Sequence, residues 1–139
     1  MTAFYFAVLT ALIWGCVPIL EKIGLAKIDP LPGIFIRVSG VLLGVIILGV
    51  FNTQAFKAAL KADLRTILFI MIGGFLASIV GQIFFYNALK AGEASKVVPI
   101  SGTYPLVSFL LGLIFLGETF TLSKGLGVVL VILGVFLLR

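Results

Sequence analysis

The stretch Thr66–Leu89, TILFIMIGGFLASIVGQIFFYNAL, decides the fold of this chain. It runs for 24 residues without a charge. A helix needs about 20 apolar residues to cross the roughly 30 Å hydrocarbon core of a bilayer. A helix on the surface of a soluble protein would instead carry polar residues on its solvent side. The stretch therefore predicts a transmembrane helix.

Four further apolar segments indicate a chain that lies almost entirely in the membrane. Hydrophobic residues make up 62% of its 139 residues and charged residues 11%, which exceeds what the core of a soluble domain requires. The last segment, Gly125–Leu138, has only 14 residues. It crosses the bilayer if Lys124 snorkels to the interface, and otherwise it lies on the membrane. We expect an all-α membrane protein with a single domain over residues 1–139. Its five transmembrane helices are expected at approximately 3–22, 31–51, 66–89, 97–117 and 122–138.

The composition also restricts the chemistry. The chain has no His and only one Cys, Cys16, so the usual metal ligand, the usual proton shuttle and an internal disulfide framework are missing. No phosphate-binding loop and no nucleophile–base pair occur in the sequence. We therefore expect no enzymatic activity, no metal and no cofactor. The net charge of +5 indicates helix ends and lipid headgroups, rather than nucleic acid, as the partners of the basic residues.

The positive charges leave the orientation of the chain undecided. Five spans would place the two ends of the chain on opposite sides of the membrane. The side of the N-terminus carries four Lys and Arg residues and the other side six, whereas the positive-inside rule needs a clear excess on one side. The chain is therefore predicted to insert in both orientations, a dual topology. The four are Lys57, Lys61, Arg65 and Lys124, and the six are Lys22, Lys27, Arg37, Lys90, Lys96 and Arg139.

The connection Asn52–Arg65 has a helical pattern of its own. Its apolar and basic residues each recur every four positions, which predicts a short amphipathic helix at the membrane interface. The alternative is a solvated, loosely helical loop. The apolar residues are Phe56, Leu60 and Leu64, and the basic ones are Lys57, Lys61 and Arg65.

Polar or aromatic residues recur at helical spacing in three of the spans. Such residues should face protein or water rather than lipid, so they predict a central cavity for a small organic solute. The alternative, which holds for the serines at least as well, is that they join helices without binding a ligand. In the third span, Gly74, Ser78, Gln82 and Tyr86 are each four residues apart. The candidate cavity residues are Trp14, Ser78, Gln82, Tyr86, Ser101, Tyr104 and Ser108.

Prolines are candidate hinges, and two charged residues are candidates for proton coupling or substrate contact. A proline within a helix leaves one carbonyl without its hydrogen bond, and the resulting kink acts either as a hinge or as a static packing feature. Glu21 carries a coupling proton or only pairs with Lys22, and Arg37 contacts the substrate or only snorkels. The predicted hinge residues are Gly15, Pro18 and Pro105.

Short motifs are spread along essentially the whole chain. They comprise Ala11–Gly15, Arg37, Ala91–Ser95, Pro105, Gly117-Glu118-Thr119, Gly125, Gly127 and Gly134-Val135. Together they resemble the EamA-like domain of the drug/metabolite transporter superfamily. The Gly-Glu turn before the last span is the most specific of them.

The resemblance implies a secondary transporter. Members of that family usually carry two five-helix domains in tandem, inverted relative to each other. They move small metabolites through a cavity lined mainly by the first, third and fourth helices of each repeat. This chain has one such domain, so it is expected to pair with a second copy as an antiparallel homodimer, or with a related half-transporter. The expected location is a bacterial or archaeal cell (inner) membrane, which the chain crosses several times.

The resemblance also bears on the substrate. The small multidrug resistance branch has an essential glutamate in its first helix, and Trp14 stands at the matching position here. A neutral or zwitterionic metabolite, moved by alternating access, is therefore expected in place of a drug cation. The alternatives are one subunit of a heterodimeric transporter, a small flippase of lipid-linked substrates, and a membrane scaffold that transports nothing.

The balanced charges generate a prediction about topology. Two C-terminal reporter fusions, one active only inside the cell and one only outside, should both give a signal, because each orientation exposes one of them to its compartment. A signal from a single reporter would contradict dual topology.

Overall fold

The computed structural model describes residues 2–137. All regular structure in that range is helical, which confirms the all-α fold predicted from the composition. The described residues divide into two compact units, 2–90 and 91–137. The predicted end of the last span at Leu138, and Arg139 with its assigned charge, lie outside the described residues, as does Met1.

Eight α-helices occur in the described range. α1 spans Thr2–Leu25, α2 Pro30–Phe51, α3 Thr53–Leu60, α4 Leu64–Phe75, α5 Gly81–Ala91, α6 Ala94–Ser101, α7 Tyr104–Phe115 and α8 Leu122–Leu137. A π-helical segment, Leu76–Val80, joins α4 and α5 into one rod, Leu64–Ala91. The first unit holds α1 to α5, and the second holds α6 to α8.

Four helical segments are long and apolar enough to cross a membrane. They are α1, α2, the α4–α5 rod and the α6–α7 segment Ala94–Phe115, with 24, 22, 28 and 22 residues. Only 6% of the residues in the most apolar part of each segment are buried, so their apolar side chains face outward. A soluble monomer does not expose apolar surface on this scale. The four segments correspond to the first four predicted spans and extend each of the first and third by a few residues.

The fifth predicted span is a shorter helix. α8 has 16 described residues and is about 24 Å long at about 1.5 Å per residue, against a hydrocarbon core of roughly 30 Å. Near its start, Lys124 Nζ donates a hydrogen bond to the carbonyl of Thr119 at 3.0 Å. The ammonium is therefore turned back toward the loop, as snorkelling requires. The crossing of the bilayer by α8 remains a prediction.

The amphipathic pattern of Asn52–Arg65 forms two helix segments. Its first part is α3, whose N-terminus is capped by Asn52 Oδ1, which accepts a hydrogen bond from the Ala55 N–H at 3.1 Å. Its last residues belong to α4, which Asp63 caps by accepting hydrogen bonds from Thr66. These bonds lower the pKa of the Asp63 carboxyl below its ordinary value. The predicted short helix is confirmed for Thr53–Leu60 only, because residues 61–63 are not helical and Leu64 and Arg65 belong to the next helix. Its location at the membrane interface remains a prediction.

The π-helical segment corrects the polar stripe predicted for the third span. Its wider turn is closed by a hydrogen bond from the Gly81 N–H to the Leu76 carbonyl, five residues apart instead of four. Residues before such a turn are rotated relative to those after it. A spacing of four therefore does not keep Gly74 on the face of Gln82 and Tyr86, and Gly74 is exposed while the other two are buried.

The fourth span is interrupted where the sequence predicted a kink. α6 ends at Ser101 and α7 begins at Tyr104, so Gly102 and Thr103 separate the two helices. Pro105 thus lies in the first turn of α7, where its missing N–H costs little. Pro18, in contrast, is buried within an uninterrupted α1. That either proline, or Gly15 in α1, works as a hinge remains a prediction.

The turn before α8 requires glycine at one position. Gly117 has φ +64°, a conformation that costs other residues steric strain. The following Glu118 pairs with Lys124 at 3.8 Å. Its carboxylate lies over Gly112, where an added Cβ would come within 3.2 Å of Glu118 Cδ. The Gly-Glu motif therefore fixes a turn and a side-chain position in the second unit.

Two lysines tie one end of the first unit together. Lys90 Nζ donates to the Ile28 carbonyl at 2.9 Å and to Asp29 Oδ1 at 2.7 Å, and Lys22 Nζ donates to the Leu89 carbonyl. The hydrogen bond and charge of Lys90 lower the pKa of the Asp29 carboxyl below its ordinary value of 3.8. The ion pair is therefore complete above that pH and is lost as the pH falls through the lowered pKa. We name this contact of Lys90 with the α1–α2 connection the clasp.

The packing of α2 against α1 and α5 depends on Gly33. Gly33 is buried, and a Cβ at this position would lie 3.0 Å from Leu25 Cδ2 and 3.3 Å from Tyr86 Cε2. Tyr86 and Leu25 are both 3% exposed, so neither moves away without cost. Close approach of the three helices is therefore possible because position 33 has no side chain.

This packing gives a prediction for a matched pair of glycine substitutions in α2. Gly33→Ala should leave the protein about 1–3 kcal/mol less stable than Gly40→Ala, because only the first overpacks a filled space. An added Cβ at Gly40 meets nothing within 4 Å, and both substitutions gain the same helix propensity. Thermal unfolding in detergent measures the difference, and equal stability of the two variants would contradict the packing.

Candidate functional site

The carboxylate of Glu21 on α1 is the centre of a polar cluster in the first unit. Its Oε1 atom accepts three hydrogen bonds, from Arg37 Nε of α2 at 3.2 Å, Gln82 Nε2 of α5 at 3.1 Å and Tyr86 Oη of α5 at 3.0 Å. The first of these is also an ion pair. Three helices thus meet at one oxygen atom.

Local sequence explains how each side chain reaches this point. Gln82 and Tyr86 are four residues apart in α5, after the π-helical segment, and therefore lie on one face of that helix. Both are buried, with 8% and 3% exposure, and Leu89 continues the same face with no exposure. Because Gly33 has no side chain, α2 can approach the Tyr86 ring closely. Arg37, one turn further along α2, thereby reaches Glu21.

The cluster lies inside membrane-spanning helices but near one end of them. Glu21 is four residues from the end of α1, and Arg37 is seven residues from the start of α2. At about 1.5 Å per residue the charges are therefore about 6–10 Å inside the helix ends. The clasp closes the same end of the first unit.

The hydrogen bonds leave part of each charged group unused. Glu21 Oε2 accepts no hydrogen bond from any residue in the described range. Arg37 Nη1 is fully buried and has no partner among residues 2–137. A buried donor without a partner costs about 1–3 kcal/mol. The charges of Glu21 and Arg37 cancel, but only part of their hydrogen-bonding capacity is used. We call this cluster half-satisfied for that reason.

An open cleft of about 330 Å³ borders these groups. Glu21, Arg37 and Tyr86 form its polar wall, and the remaining lining is apolar. The complete lining is Leu20, Glu21, Gly24, Leu25, Ile28, Gly33, Ile36, Arg37 and Tyr86. An apolar cleft with a few convergent polar groups is the usual form of a small-molecule site.

Charge burial in these helices is expensive, which points to function. Glu21 and Arg37 have side chains that are only 11% and 29% exposed, within helices that otherwise present apolar residues to lipid. Ionisable residues in such segments are rare and usually belong to a site or a transport path. A purely structural contact could be replaced by apolar packing at little or no loss of stability.

The structure brings together four of the residues predicted from the sequence. Gln82 and Tyr86, predicted for the cavity, form one cluster with Glu21 and Arg37, predicted as charge contacts. The sequence offers Lys22 as a partner of Glu21, and the structure pairs Glu21 with Arg37 instead. The role of the cluster in substrate binding remains a prediction.

The remaining predicted cavity residues lie elsewhere. Trp14 is 60% exposed on α1, and Ser78 is half-buried within the π-helical segment. Ser101, Tyr104 and Ser108 belong to the second unit and are exposed there. Their part in a cavity remains a prediction.

Sequence reasoning missed the apolar side of the site. Leu20, Leu25 and Ile36 line the cleft but look like any lipid-facing residue in the sequence. Gly33 gives a weak indication in the sequence. It follows Pro32 in the first turn of a helix, where no backbone turn requires glycine, which indicates a packing role. Its value lies in the contact with Tyr86, 53 positions away, which no local pattern reveals.

Comparison with known proteins gives the class of the molecule. Ionisable residues at a cleft within apolar membrane-spanning helices are typical of a membrane transporter. The chain belongs to the EamA-like transporter family, whose model matches residues 1–139. It is 32% identical over 137 residues to an uncharacterized protein of Methanocaldococcus jannaschii, covering 99% of this chain and 96% of that one. No solved structure matches the chain significantly.

Two further relatives differ in length. An uncharacterized transporter in the cobO 3′ region of a Sinorhizobium species is 31% identical over 134 residues, covering 96% of this chain and 94% of its own. An uncharacterized transporter of Archaeoglobus fulgidus is 29% identical over 76 residues, which are 55% of this chain but 27% of that protein. The similar proteins thus include two of the present size and one about twice as long.

The three bonds to Glu21 Oε1 generate a prediction for two tyrosines. Tyr86→Phe should lower the free energy of unfolding by about 1–2 kcal/mol, because it removes a hydrogen bond to a charged acceptor. Tyr104→Phe is the matched control and should have little effect, since the Tyr104 hydroxyl has no hydrogen bond within residues 2–137. Chemical unfolding in detergent measures both.

A double-mutant cycle ties the effect to Glu21. In a Glu21→Ala background Tyr86→Phe should cost much less, because the acceptor is already gone. An undiminished cost in that background would show that Tyr86 acts through packing alone.

Proposed function

We propose that this protein is a secondary transporter that moves a small polar or zwitterionic metabolite by alternating access. The observation that carries the proposal is the half-satisfied cluster around Glu21, held among apolar membrane helices and open to a cleft. Such a site offers a charged surface in a place where a polar solute otherwise finds only lipid. The family assignment supports transport as the activity.

The working unit is proposed to be an antiparallel homodimer in a bacterial or archaeal cell (inner) membrane, with residues 1–139 acting as one five-helix repeat. Two relatives have the length of this chain, whereas one is about twice as long. A protein of twice this length can contain both repeats of a transporter, whereas a chain of this length must supply the two repeats as two copies. The balanced Lys and Arg distribution supports insertion in both orientations.

Alternating access requires contacts that break and re-form. The clasp is suited to this, because its ion pair is largely exposed, with side-chain exposures of 40% for Lys90 and 81% for Asp29. Exposed ion pairs contribute little to stability, so opening that end costs little. The break between α6 and α7 offers a second flexible point within its own unit.

Solute flux into proteoliposomes that contain only this chain tests the proposal. Flux should be present, and Gln82→Ala should reduce it at least about tenfold by removing a hydrogen bond that orients Glu21. Trp14→Ala should also reduce flux, because Trp14 is predicted to line the cavity. Asn87→Ala is the control, since its exposed side chain bonds only to the Ile83 carbonyl of its own helix.

The outcomes separate the alternatives. Flux that appears only after a second, different membrane protein is added would identify a heterodimer subunit. Equal flux in the wild type, Gln82→Ala and Trp14→Ala would contradict the proposed cavity. No flux of any solute would favour a membrane scaffold.

A further inference from the structure

Three cations in the connection between α2 and α4 have no acidic partner. Lys57, Lys61 and Arg65 are all exposed, and none of them makes an ion pair or a side-chain hydrogen bond with another residue in the range 2–137. Asp63, the acid of this connection, accepts the hydrogen bonds that cap α4. We name the three cations the basic cluster. Four other basic residues do pair with acids, namely Arg37, Lys90, Lys96 and Lys124.

The chain on either side keeps α3 close to the ends of two membrane-spanning segments. Only Asn52 separates α3 from the end of α2, and only residues 61–63 separate it from the start of the α4–α5 rod. α3 has eight residues and is therefore about 12 Å long. A helix this short, tied at both ends to segments that cross a bilayer, stays at the bilayer surface.

α3 has an apolar face that is turned toward the membrane-spanning part of α2. Phe56 and Leu60 are four residues apart and share this face, while Lys57 lies about 100° further round the helix. Phe56 Cδ2 lies 3.7 Å from where a Cβ of Gly49 would be, and Gly49 is two residues inside the end of α2. Phe56 and Leu60 are nevertheless 52% and 69% exposed. Most of the apolar face is therefore left for lipid.

We propose that α3 and the basic cluster form a binding surface for anionic phospholipids. The apolar face enters the boundary between headgroups and acyl chains, and the ammonium groups of Lys57 and Lys61 bind headgroup phosphates. Arg65 adds a planar phosphate donor at the start of α4, and its guanidinium carbon lies 5.7 Å from the centre of the Phe69 ring. Arg37 of the Glu21 cluster is about 21 Å away along α2, so the surface does not depend on the proposed transport.

Charge should make this surface prefer anionic over zwitterionic lipid. A zwitterionic headgroup neutralises its phosphate with its own ammonium, whereas an anionic headgroup leaves the phosphate to the protein. Each Lys or Arg near an anionic membrane surface strengthens binding about fivefold. A helix of eight residues is marginally stable in water by itself, although Asn52 caps α3. Lipid binding should therefore reduce the local opening of α3.

Hydrogen–deuterium exchange of the full-length chain in lipid nanodiscs tests the surface locally. Discs of dioleoylphosphatidylcholine are compared with discs that also contain dioleoylphosphatidylglycerol, which has the same acyl chains and an anionic headgroup. The backbone amides of α3 should exchange at least about fivefold more slowly in the anionic discs, the contribution of one cation. Equal exchange in the two lipids would overturn the proposal. Both faces of a disc present the same lipid, so the orientation of the chain does not affect the result.

A matched pair of double variants assigns the effect to the basic cluster. Lys57→Gln combined with Lys61→Gln should remove most of the slowing by anionic lipid. Lys27→Gln combined with Lys96→Gln removes the same charge from two other exposed positions and should leave the slowing as in the wild type. If the first pair kept the slowing, or if both pairs lost it equally, the assignment to the basic cluster would be wrong.

Inorganic phosphate separates a lipid surface from a site for a soluble anion. Added to the phosphatidylcholine discs, it should leave the exchange of α3 unchanged, because it offers no acyl chains to Phe56 and Leu60. Slowing by phosphate as large as that by phosphatidylglycerol would contradict the lipid surface. High salt should weaken the slowing by phosphatidylglycerol, because it screens exposed charges, and a slowing that salt does not change would contradict the role of the cations.

Discussion

One oxygen atom, Glu21 Oε1, carries the contact on which the first unit depends. A carboxylate within apolar helices has no water to solvate it, so its hydrogen bonds must come from other side chains. Arg37 supplies one from α2, and Gln82 and Tyr86 supply two from α5. Glu21 therefore fixes which faces of α1, α2 and α5 meet. Gly33 permits the approach, because a Cβ there would lie only 3.0 Å from Leu25 Cδ2 and 3.3 Å from Tyr86 Cε2.

The fold was largely predictable because the bilayer leaves few choices. Uncharged stretches such as Thr66–Leu89 must be helical if they lie in lipid, since the backbone has to satisfy its own hydrogen bonds. Hydropathy could not foresee the departures from regular helix, although Pro105 marked the vicinity of the break in the fourth span. The π-helical segment Leu76–Val80 and the break at Gly102-Thr103 change register within a span, whereas hydropathy records only its length.

The site was predicted in parts but not as a whole. Helical spacing correctly put Gln82 and Tyr86 on one face, because that relation is local to α5. Spacing gives no distance between helices, so the sequence offers only the adjacent Lys22 as a partner for Glu21 and no partner for Arg37. Lys22 instead donates to the Leu89 carbonyl. Pairing across 16 positions of chain, through a glycine contact, depends on packing that no sequence period encodes.

The half-satisfied state of the cluster argues against a purely structural role. A contact that only held helices together would be most stable with every donor and acceptor engaged. Here all three hydrogen bonds to the carboxylate end on Oε1, while Arg37 Nη1 is buried without a partner in the described range. The three bonds to Oε1 keep the carboxylate in place, and Glu21 and Arg37 both line a cleft near one helix end. Reversible binding needs this division, because a ligand must gain contacts on entry without dismantling the bonds that position its site.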